Sequence, residues 1–193
     1  MIGKEDLKKI YDLISELIDI SEQEWSFYSN RFKKREVKKN EIILNAGSVC
    51  RYAFFVNTGL LRIFYSDNDG SEKTFHFAME NTFATDYESL LKRTPADYSI
   101  QAQEDSVLIL MSLDMLESGY KELQQGEKLG RRLAEDYFFL MSDKIKSIYT
   151  QSPHERYDNM NKKYPGILQR VPQHFIASYL NISPVHLSRL KNS

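Results

Sequence analysis

The chain has 193 residues, 41% hydrophobic and 27% charged, which is enough for one domain or two small ones with a buried core. No apolar run approaches the ~20 residues of a membrane helix, and the N-terminus lacks the apolar region of a signal peptide. The single cysteine, Cys50, excludes an intramolecular disulfide framework and a cysteine-only metal site. Together these features predict a cytoplasmic protein.

The formal net charge of −1 conceals an uneven distribution of charge. Residues 151–193 carry six basic and two acidic side chains, whereas residues 1–150 carry 20 basic and 25 acidic ones. A basic segment on an acidic body indicates that the C-terminal end meets a polyanion. Chance scatter of surface charge is the alternative explanation.

Two predicted helices precede a β-rich region. Residues 4–18 carry apolar side chains at spacings of three and four, which predicts an amphipathic helix, and Ser21 with Glu24 forms a capping box that begins a second helix. Short runs rich in aromatic and β-branched residues follow, separated by turn sequences such as Asp67-Asn68-Asp69-Gly70. The predicted strands are two within 35–44, then 52–56, 60–65, 73–78, 98–103 and 107–111. So many short strands with regular turns predict a β-sandwich or a β-barrel.

A long helical segment follows from about Leu113 to Tyr149, where proline is absent and glycine is sparse. Its apolar stripe consists of Leu129, Leu133, Tyr137, Leu140 or Met141, Ile145 and Ile148. A helix of this length cannot bury such a stripe alone, so we predict that it pairs with the same helix in a second copy. The alternative is that it packs back across its own β domain.

The last segment has the pattern of a helix-turn-helix motif. Ala177 supplies the small residue where two helices cross, and Asn181 tolerates the left-handed conformation of the turn. Ser183 is a predicted N-cap, with Pro184 in the first helical position. The apolar side chains that would fix both helices to a shared core are Ile176, Leu180, Ile182, Leu187 and Leu190. An ordinary helical hairpin is the alternative.

If this motif reads DNA, its second helix (about 184–192) enters the major groove. Arg189 is the best candidate for a bidentate contact with guanine. Gln173 and His174, at the beginning of the first helix, are candidates for phosphate contacts. The remaining candidate DNA-binding residues are Ser183, Val185, His186 and Ser188. In a dimer, two such helices would lie one turn of double-stranded DNA apart and read an inverted repeat.

The order of these parts resembles the catabolite-activator/fumarate-nitrate-regulator (Crp/Fnr) family of bacterial transcription factors. The motifs that carry the resemblance are Asn57-Thr58-Gly59-Leu60-Leu61-Arg62, Asp69-Gly70-Ser71-Glu72-Lys73, Phe83-Ala84-Thr85-Asp86-Tyr87-Glu88-Ser89, Ser152-Pro153-His154-Glu155-Arg156-Tyr157, Ile176-Ala177-Ser178-Tyr179-Leu180 and Leu187-Ser188-Arg189.

The resemblance implies an α+β architecture with three parts. An N-terminal β-roll (double-stranded jelly roll) with flanking helices would span residues 1–112, a long dimerisation helix 113–150, and a C-terminal helix-turn-helix domain 151–193. The resemblance further implies a homodimeric, sequence-specific transcriptional regulator that is not an enzyme, with DNA and RNA polymerase as partners. The family usually adds a β-hairpin wing after the recognition helix, and the sequence stops at Ser193 just beyond that helix, so we expect a wingless or trimmed reader.

The resemblance also implies an effector pocket in the β-roll. Its positions are Thr85, Asp86, Tyr87, Ala96 and Asp97. In members that bind cyclic AMP, a glycine amide and an arginine hold the phosphate and a glutamate takes the ribose hydroxyl. Here Ala96 stands at the arginine position and Asp97 adds a carboxylate near the phosphate, so binding of cyclic AMP in the usual mode is disfavoured. Asp86 could still accept a ribose hydroxyl, and Arg93 could replace the missing cation. We therefore expect an unidentified small-molecule effector, or an empty scaffold.

Other chemistries of this fold need residues that the chain lacks. An iron–sulfur sensor requires several cysteines, and a haem sensor requires an axial ligand. His76 is the sole histidine of the β region, where an ordinary core or edge position is expected for it, and one histidine does not make the metal set of a cupin-type enzyme. The remaining alternative is a β-roll that binds a small molecule or a partner and has no DNA-binding activity.

Overall fold

The computed structural model describes residues 2–67 and 69–191, and it begins with two helices. Helix α1 (Lys4–Leu17) buries Ile10 and Ile14 on its apolar face. Helix α2 (Glu22–Ser29) begins at the predicted capping box, in which the Ser21 hydroxyl accepts a hydrogen bond from the Glu24 amide. Both predicted helices are confirmed.

The described residues then form two four-stranded antiparallel sheets. The strands are β1 (Lys33–Val37), β2 (Ile42–Leu44), β3 (Tyr52–Thr58), β4 (Leu61–Ser66), β5 (Glu72–Ala78), β6 (Phe83–Ala84), β7 (Ser99–Ala102) and β8 (Ser106–Ser112). Their order is β1-β8-β3-β6 in one sheet and β2-β7-β4-β5 in the other. Phe55 and Ile109 of the first sheet share one buried core with Ile63 and Ile100 of the second. This is the predicted β-roll.

One strand, β6, was not predicted from the sequence. Strand β6 has only two residues, too few to show the alternation that marks a strand, and it is defined by pairing of Ala84 with Phe54 in β3. The predicted hairpin is present, because β4 and β5 pair antiparallel and Gly70 has φ +81°. Asn68, within the predicted turn, lies outside the described residues.

The region predicted as one long helix is divided in two. The two pieces are α4 (Leu113–Glu122) and α5 (Gly126–Thr150), with a short break between them. The short helix α3 (Tyr87–Lys92) precedes them and lies within the β-roll. Helix α4 packs on α5 at close range, since a Cβ on Gly126 would lie only 2.8 Å from the carbonyl carbon of Gly119. A glycine at position 126 therefore lets α4 and α5 pack closely at a break where a uniform apolar spacing predicted continuity.

Helix α5 has two apolar faces, and the predicted stripe is shared between them. Leu129 is buried in the β-roll core and Leu133 packs against it. The opposite face consists of Ala134, Phe138, Met141, Ile145 and Ile148, in alternating steps of four and three residues. Phe138 is 66% exposed and Ile145 is 57% exposed. The first part of the predicted stripe, Leu129 and Leu133, thus packs on its own β domain, and the second face is uncovered.

The C-terminal helices pack on the β-roll and form a second core with it. They are α6 (Pro153–Lys163), α7 (Ile167–Arg170), α8 (Gln173–Tyr179) and α9 (Pro184–Lys191). Ile176 and Leu187 are fully buried there together with Leu60 and Phe77, which come from the β-roll. Tertiary packing thus joins the C-terminal helices to the effector domain. The domain boundaries at residues 112 and 150 stay predictions.

The turn between β3 and β4 supports a stability prediction. Gly59 has φ +102°, and a Cβ there would overlap the Ser106 side chain and lie 2.8 Å from the Ser106 Cα, whereas Gly47 has φ +84° and open space around it. We expect Gly59→Ala to lower the free energy of unfolding by about 2–5 kcal/mol, because a clash adds to the backbone cost. Gly47→Ala carries the backbone cost alone, about 1–2 kcal/mol. Chemical denaturation measures both, and equal losses would contradict the clash.

Candidate nucleic-acid interface

The turn between α8 and α9 has the local backbone conformation that the sequence predicted. Asn181 adopts φ +54°, and the Ile182 amide donates to the Ala177 carbonyl at 3.0 Å. The Ser183 hydroxyl accepts the His186 amide at 3.2 Å, as expected of an N-cap. Leu187 is fully buried and holds α9 on the core. The predicted roles of Asn181 and Ser183 are confirmed.

The outer face of α9 is open to solvent. Val185 is 64% exposed, and a shallow concave surface lies along this face beside the half-buried Leu190. The candidate residues exposed on it are Ser183, Val185, His186, Ser188 and Arg189. Within residues 2–67 and 69–191 no carboxylate forms an ion pair with Arg189. Asn192, the last residue of the predicted recognition helix, lies outside the described residues.

The two candidate phosphate contacts lie at the other end of the motif. Gln173 and His174 are exposed in the first turn of α8, and the His174 ring lies 4.0 Å from the Phe175 ring, centroid to centroid. Their side chains are separate from the α9 surface but belong to the same helix pair. The arrangement offers a cationic and hydrogen-bonding face on α9 flanked by polar residues on α8, which suits a duplex with a phosphate backbone.

Helix α8 is docked on the edge strand β5. The Ser178 hydroxyl accepts a hydrogen bond from the Thr74 amide at 2.8 Å and donates to the Glu72 carbonyl at 3.4 Å. The side chain of Ser178 thus satisfies backbone groups that the edge of a sheet would leave unpaired. Sequence analysis assigned Ser178 only to a family motif, because its partners lie about a hundred residues away in the chain.

Two arginines reinforce this docking. Arg62, in β4, is buried beneath the Phe175 ring with its guanidinium 3.5 Å from the ring centroid, and it donates to Glu72 at 2.6 Å. Burial lowers the pKa of Arg62, while its contact with Glu72 opposes that change. Arg170, in α7, donates to Glu80 at 2.8 Å and also binds Glu104, and these hydrogen bonds raise its pKa. The C-terminal helices are therefore joined to the β-roll by charge as well as by apolar packing.

The predicted effector positions meet at one end of the β-roll. Asp86 is buried, and its two carboxylate oxygens accept hydrogen bonds from the Ser89 amide at 3.0 Å and the Asp97 amide at 3.1 Å. Asp86 thus caps α3 and ties it to the segment before β7. Its oxygens are already engaged by the backbone, which argues against the predicted role as acceptor of a ribose hydroxyl.

The other predicted effector residues differ in their exposure. Thr85 donates its hydroxyl to the Tyr52 carbonyl at 3.1 Å, and Ala96 is buried and pairs with the Ser48 backbone. Asp97 is exposed, and Tyr87 is 41% exposed and interacts with the Tyr120 phenol on α4. The fold therefore brings Thr85, Asp86, Ala96 and Asp97 together, whereas the Tyr87 side chain lies beside α4.

An aromatic cluster lies beside these residues. Tyr98 donates its hydroxyl to the Thr85 carbonyl at 2.8 Å, and its ring is 5.5 Å from Tyr65 and 6.2 Å from Phe75, centroid to centroid. The phenols of Tyr98 and Tyr137 interact electrostatically, and burial is the largest of the effects that raise the pKa of both. Tyr137 belongs to α5, so the cluster connects the effector region directly to the long helix. Sequence analysis assigned Tyr137 to a dimerisation stripe and gave Tyr98 no role.

Two further candidates for ligand contacts have other roles. Arg93 ends α3 in the left-handed conformation, and its exposed guanidinium lies 3.7 Å from Asp114 on α4. His76 is buried in β5 with its Nδ1 3.3 Å from the Tyr164 hydroxyl, and burial lowers its pKa to about 3. It occupies the core position that was expected for it.

A different group of cations lies behind the α8–α9 turn. Lys144 of α5 donates to the Tyr179 carbonyl at 2.9 Å, and Arg156 of α6 donates through Nε to the Leu180 carbonyl at 3.1 Å. Burial, followed by the charges of Lys163 and Arg156, lowers the pKa of Lys144 to about 7. Sequence analysis missed this group, because helical periodicity treats Lys144 only as a charged position between apolar ones.

Among the described residues, no three histidine, cysteine, aspartate or glutamate side chains are grouped so as to hold a metal ion. None of the described helices has both the length and the hydropathy to cross a membrane.

Comparison with known proteins agrees with this geometry. Residues 34–122 match the family model of the cyclic nucleotide-binding domain, so the β-roll is similar to that domain. Comparison of the sequence with curated proteins gives no significant match.

Solved structures extend the likeness to the whole arrangement. FixK2 from Bradyrhizobium japonicum is 16% identical, with 83% of each chain covered and a TM-score of 0.72. A proposed Crp/Fnr-family transcriptional regulator from Eubacterium rectale is 18% identical, covering 90% of this chain and 83% of that one with a TM-score of 0.68. The catabolite activator protein of Thermus thermophilus is 17% identical, covering 89% and 82%, with a TM-score of 0.57. The chain thus combines a cyclic nucleotide-binding domain with the fold of Crp/Fnr-family regulators, which confirms the resemblance seen in its sequence.

The surroundings of Lys144 generate a titration prediction. An ordinary lysine has a pKa of 10.5, so between about pH 7 and 10.5 the unfolded chain binds a proton that folded Lys144 has released. Lys144 therefore makes the folded state more stable as pH rises across that window and contributes no further change below it. We expect one lysine signal in a heteronuclear NMR titration to change near pH 7, and Lys144→Arg to remove it. Titration of the Lys144 signal only above pH 10 would contradict its burial among cations.

Proposed function

We propose that the chain is a homodimeric, sequence-specific DNA-binding regulator of transcription that acts in the cytoplasm on an inverted-repeat operator and carries out no catalysis. RNA polymerase is the further partner that the family resemblance implies. The observation that carries this proposal is the exposed outer face of α9. Its Arg189 has no ion pair among the described residues, while the opposite face is held on the core by the buried Leu187.

The charge and shape of this face support direct reading of a duplex. An arginine guanidinium can donate two hydrogen bonds to a guanine edge in the major groove, and exposed serine and histidine side chains can contact neighbouring bases. The polar residues at the beginning of α8 suit phosphate contacts that set the register of the reader. Together they match the helix-turn-helix mode of docking.

The uncovered face of α5 supports a dimer. Phe138, Met141 and Ile145 follow the steps of four and three residues that characterise a two-stranded coiled coil. Pairing with the same helix of a second copy would remove the apolar surface of Phe138 and Ile145 from water. A twofold axis would place the same apolar patch of the two copies face to face. Two readers related by that axis suit an inverted repeat.

The effector region supports a ligand other than cyclic AMP. The described residues give the effector positions two carboxylates, Asp86 and Asp97, and the cation nearest in sequence, Arg93, lies against Asp114. A cyclic phosphate would therefore lack the charge-assisted hydrogen bonds that hold it. We propose that any effector is a small molecule without a phosphate group, bound beside Tyr98.

The dimer is tested by placing a charge on the uncovered face of α5. Phe138→Glu is expected to convert the protein to a monomer, because two carboxylates would face each other across the seam. Leu91→Glu is the control, since Leu91 is 44% exposed on α3, away from the seam. Sedimentation velocity measures the mass of each. A Phe138→Glu variant that stays dimeric would exclude this seam as the interface.

DNA reading is tested by selecting bound fragments from random duplexes at fixed salt, with and without cyclic AMP. We expect an enriched inverted repeat that is the same in both arms. Arg189→Ala is then expected to relax the base preference at one position of each half-site, at a cost of about 1–3 kcal/mol for the preferred base. A uniform loss of affinity across all sequences would make Arg189 a phosphate contact instead.

Two results would contradict the proposal. Absence of an enriched sequence for the wild-type dimer would favour a β-roll that binds a small molecule or a partner and does not read DNA. Enrichment only with cyclic AMP would show that the effector region binds the nucleotide despite its carboxylates.

A further inference from the structure

The C-terminal end of α8 is connected to the long helix through side chains. The last carbonyls of a helix have no partner within that helix and need a donor from elsewhere. In α8 the Tyr179 carbonyl accepts Lys144 Nζ at 2.9 Å, and the Leu180 carbonyl accepts Arg156 Nε at 3.1 Å. Both donors come from outside the helix-turn-helix motif.

These contacts bridge a corner of the chain. Lys144 lies near the end of α5, whereas Arg156 lies in the first turns of α6, beyond the corner at Gln151 and Ser152. The second guanidinium donor of Arg156 bonds the Gln151 carbonyl at 2.7 Å, so this one side chain holds both the end of α5 and the end of α8. The turn held in this way leads directly into α9.

Lys144 makes a second contact with the same residue. Its Nζ lies 3.3 Å from the centroid of the Tyr179 ring, so both the carbonyl and the ring of Tyr179 surround it. The groups packed around this amine are Arg156 and Lys163 from α6 and Tyr179 from α8, while Asp143 of α5 acts mainly on Lys163. An amine placed beside two other cations is costly, and no carboxylate pairs with it in the described part of the chain. A lysine with no structural role would extend into solvent instead. We therefore interpret the contact of Lys144 with Tyr179 as a connection between α5 and α8.

We propose that Lys144 is a positioning residue of the DNA reader: it fixes the direction of α9 by holding the end of α8 to the dimerisation helix. The proposal rests on the DNA-binding function proposed above. It assigns Lys144 no contact with DNA. Because α5 is also the seam of the proposed dimer, this contact transmits the geometry of the seam to the two recognition helices.

The test compares Lys144→Met with Lys144→Arg. Methionine keeps the length and packing of the side chain and removes the donor, so affinity for the selected operator is expected to fall on the order of tenfold. Arginine restores a donor and is expected to recover most of the affinity. Lys146→Met is the matched control, because Lys146 lies on the same helix with its side chain 68% exposed and is expected to leave affinity within about twofold of the wild type.

The salt dependence separates positioning from direct contact. A lysine that touches a phosphate changes the slope of log affinity against log salt by about 0.9 when it is removed. Lys144→Met is expected to lower affinity at an unchanged slope. The proposal would be overturned if Lys144→Met bound DNA with wild-type affinity. It would also be overturned if the slope of log affinity against log salt became smaller by about 0.9, the value of one phosphate contact.

Hydrogen exchange tests the contact without DNA. In the free dimer, the amides of α8 and α9 are expected to exchange faster in Lys144→Met and in Arg156→Met than in the wild type, while the β-roll amides keep their rates. Unchanged exchange in both variants would overturn the proposal even if DNA affinity falls. Failure of the wild-type protein to select any DNA sequence would instead count against the proposed function, and the exchange result would still decide whether Lys144 holds the reader.

Discussion

The structure depends on how the single surface of α5 is divided among its neighbours. A helix of 25 residues with apolar side chains around much of its circumference cannot be covered by one small β domain. Leu129 and Leu133 are covered by the β-roll, Tyr137 interacts electrostatically with its aromatic cluster, and Lys144 donates to a carbonyl at the end of α8. The face of Phe138 is left without cover by the chain itself. Helix α5 therefore contacts the predicted effector region and the C-terminal helices, and it carries the face proposed to meet a second copy.

The C-terminal helices are held on the β-roll by more than apolar packing. Arg62 is buried against Phe175, Ser178 pairs with the edge of β5, and Arg170 is clasped by Glu80 and Glu104. Buried charge contacts of this kind require accurate geometry, because an unpaired charge in the same place would be costly. These contacts consequently specify one orientation of helices α7 and α8 on the β-roll.

The effector region shows how a domain family can keep its fold while its site changes. Asp86 uses both carboxylate oxygens to cap α3 and to hold the segment before β7, so it is built into the scaffold. Tyr98, Tyr65 and Phe75 lie in mutual contact beside it. The fold of the domain thus depends on β-strand packing and caps, whereas its ligand depends on a few side chains that can be replaced independently.

Sequence by itself determined the features that local rules govern. Caps at Ser21 and Ser183, the left-handed turn at Asn181 and the β-hairpin each follow from side-chain and backbone chemistry within a few residues. Tertiary packing sets how α5 divides its faces, where the break before Gly126 lies, and which groups Asp86, Arg62 and Lys144 contact. Those contacts join residues far apart in sequence, and their energies depend on burial and distance. No local pattern encodes such distances, so periodicity placed Leu129 and Leu133 in one stripe with Ile145 and Ile148, whereas the fold buries the first pair and leaves the second exposed.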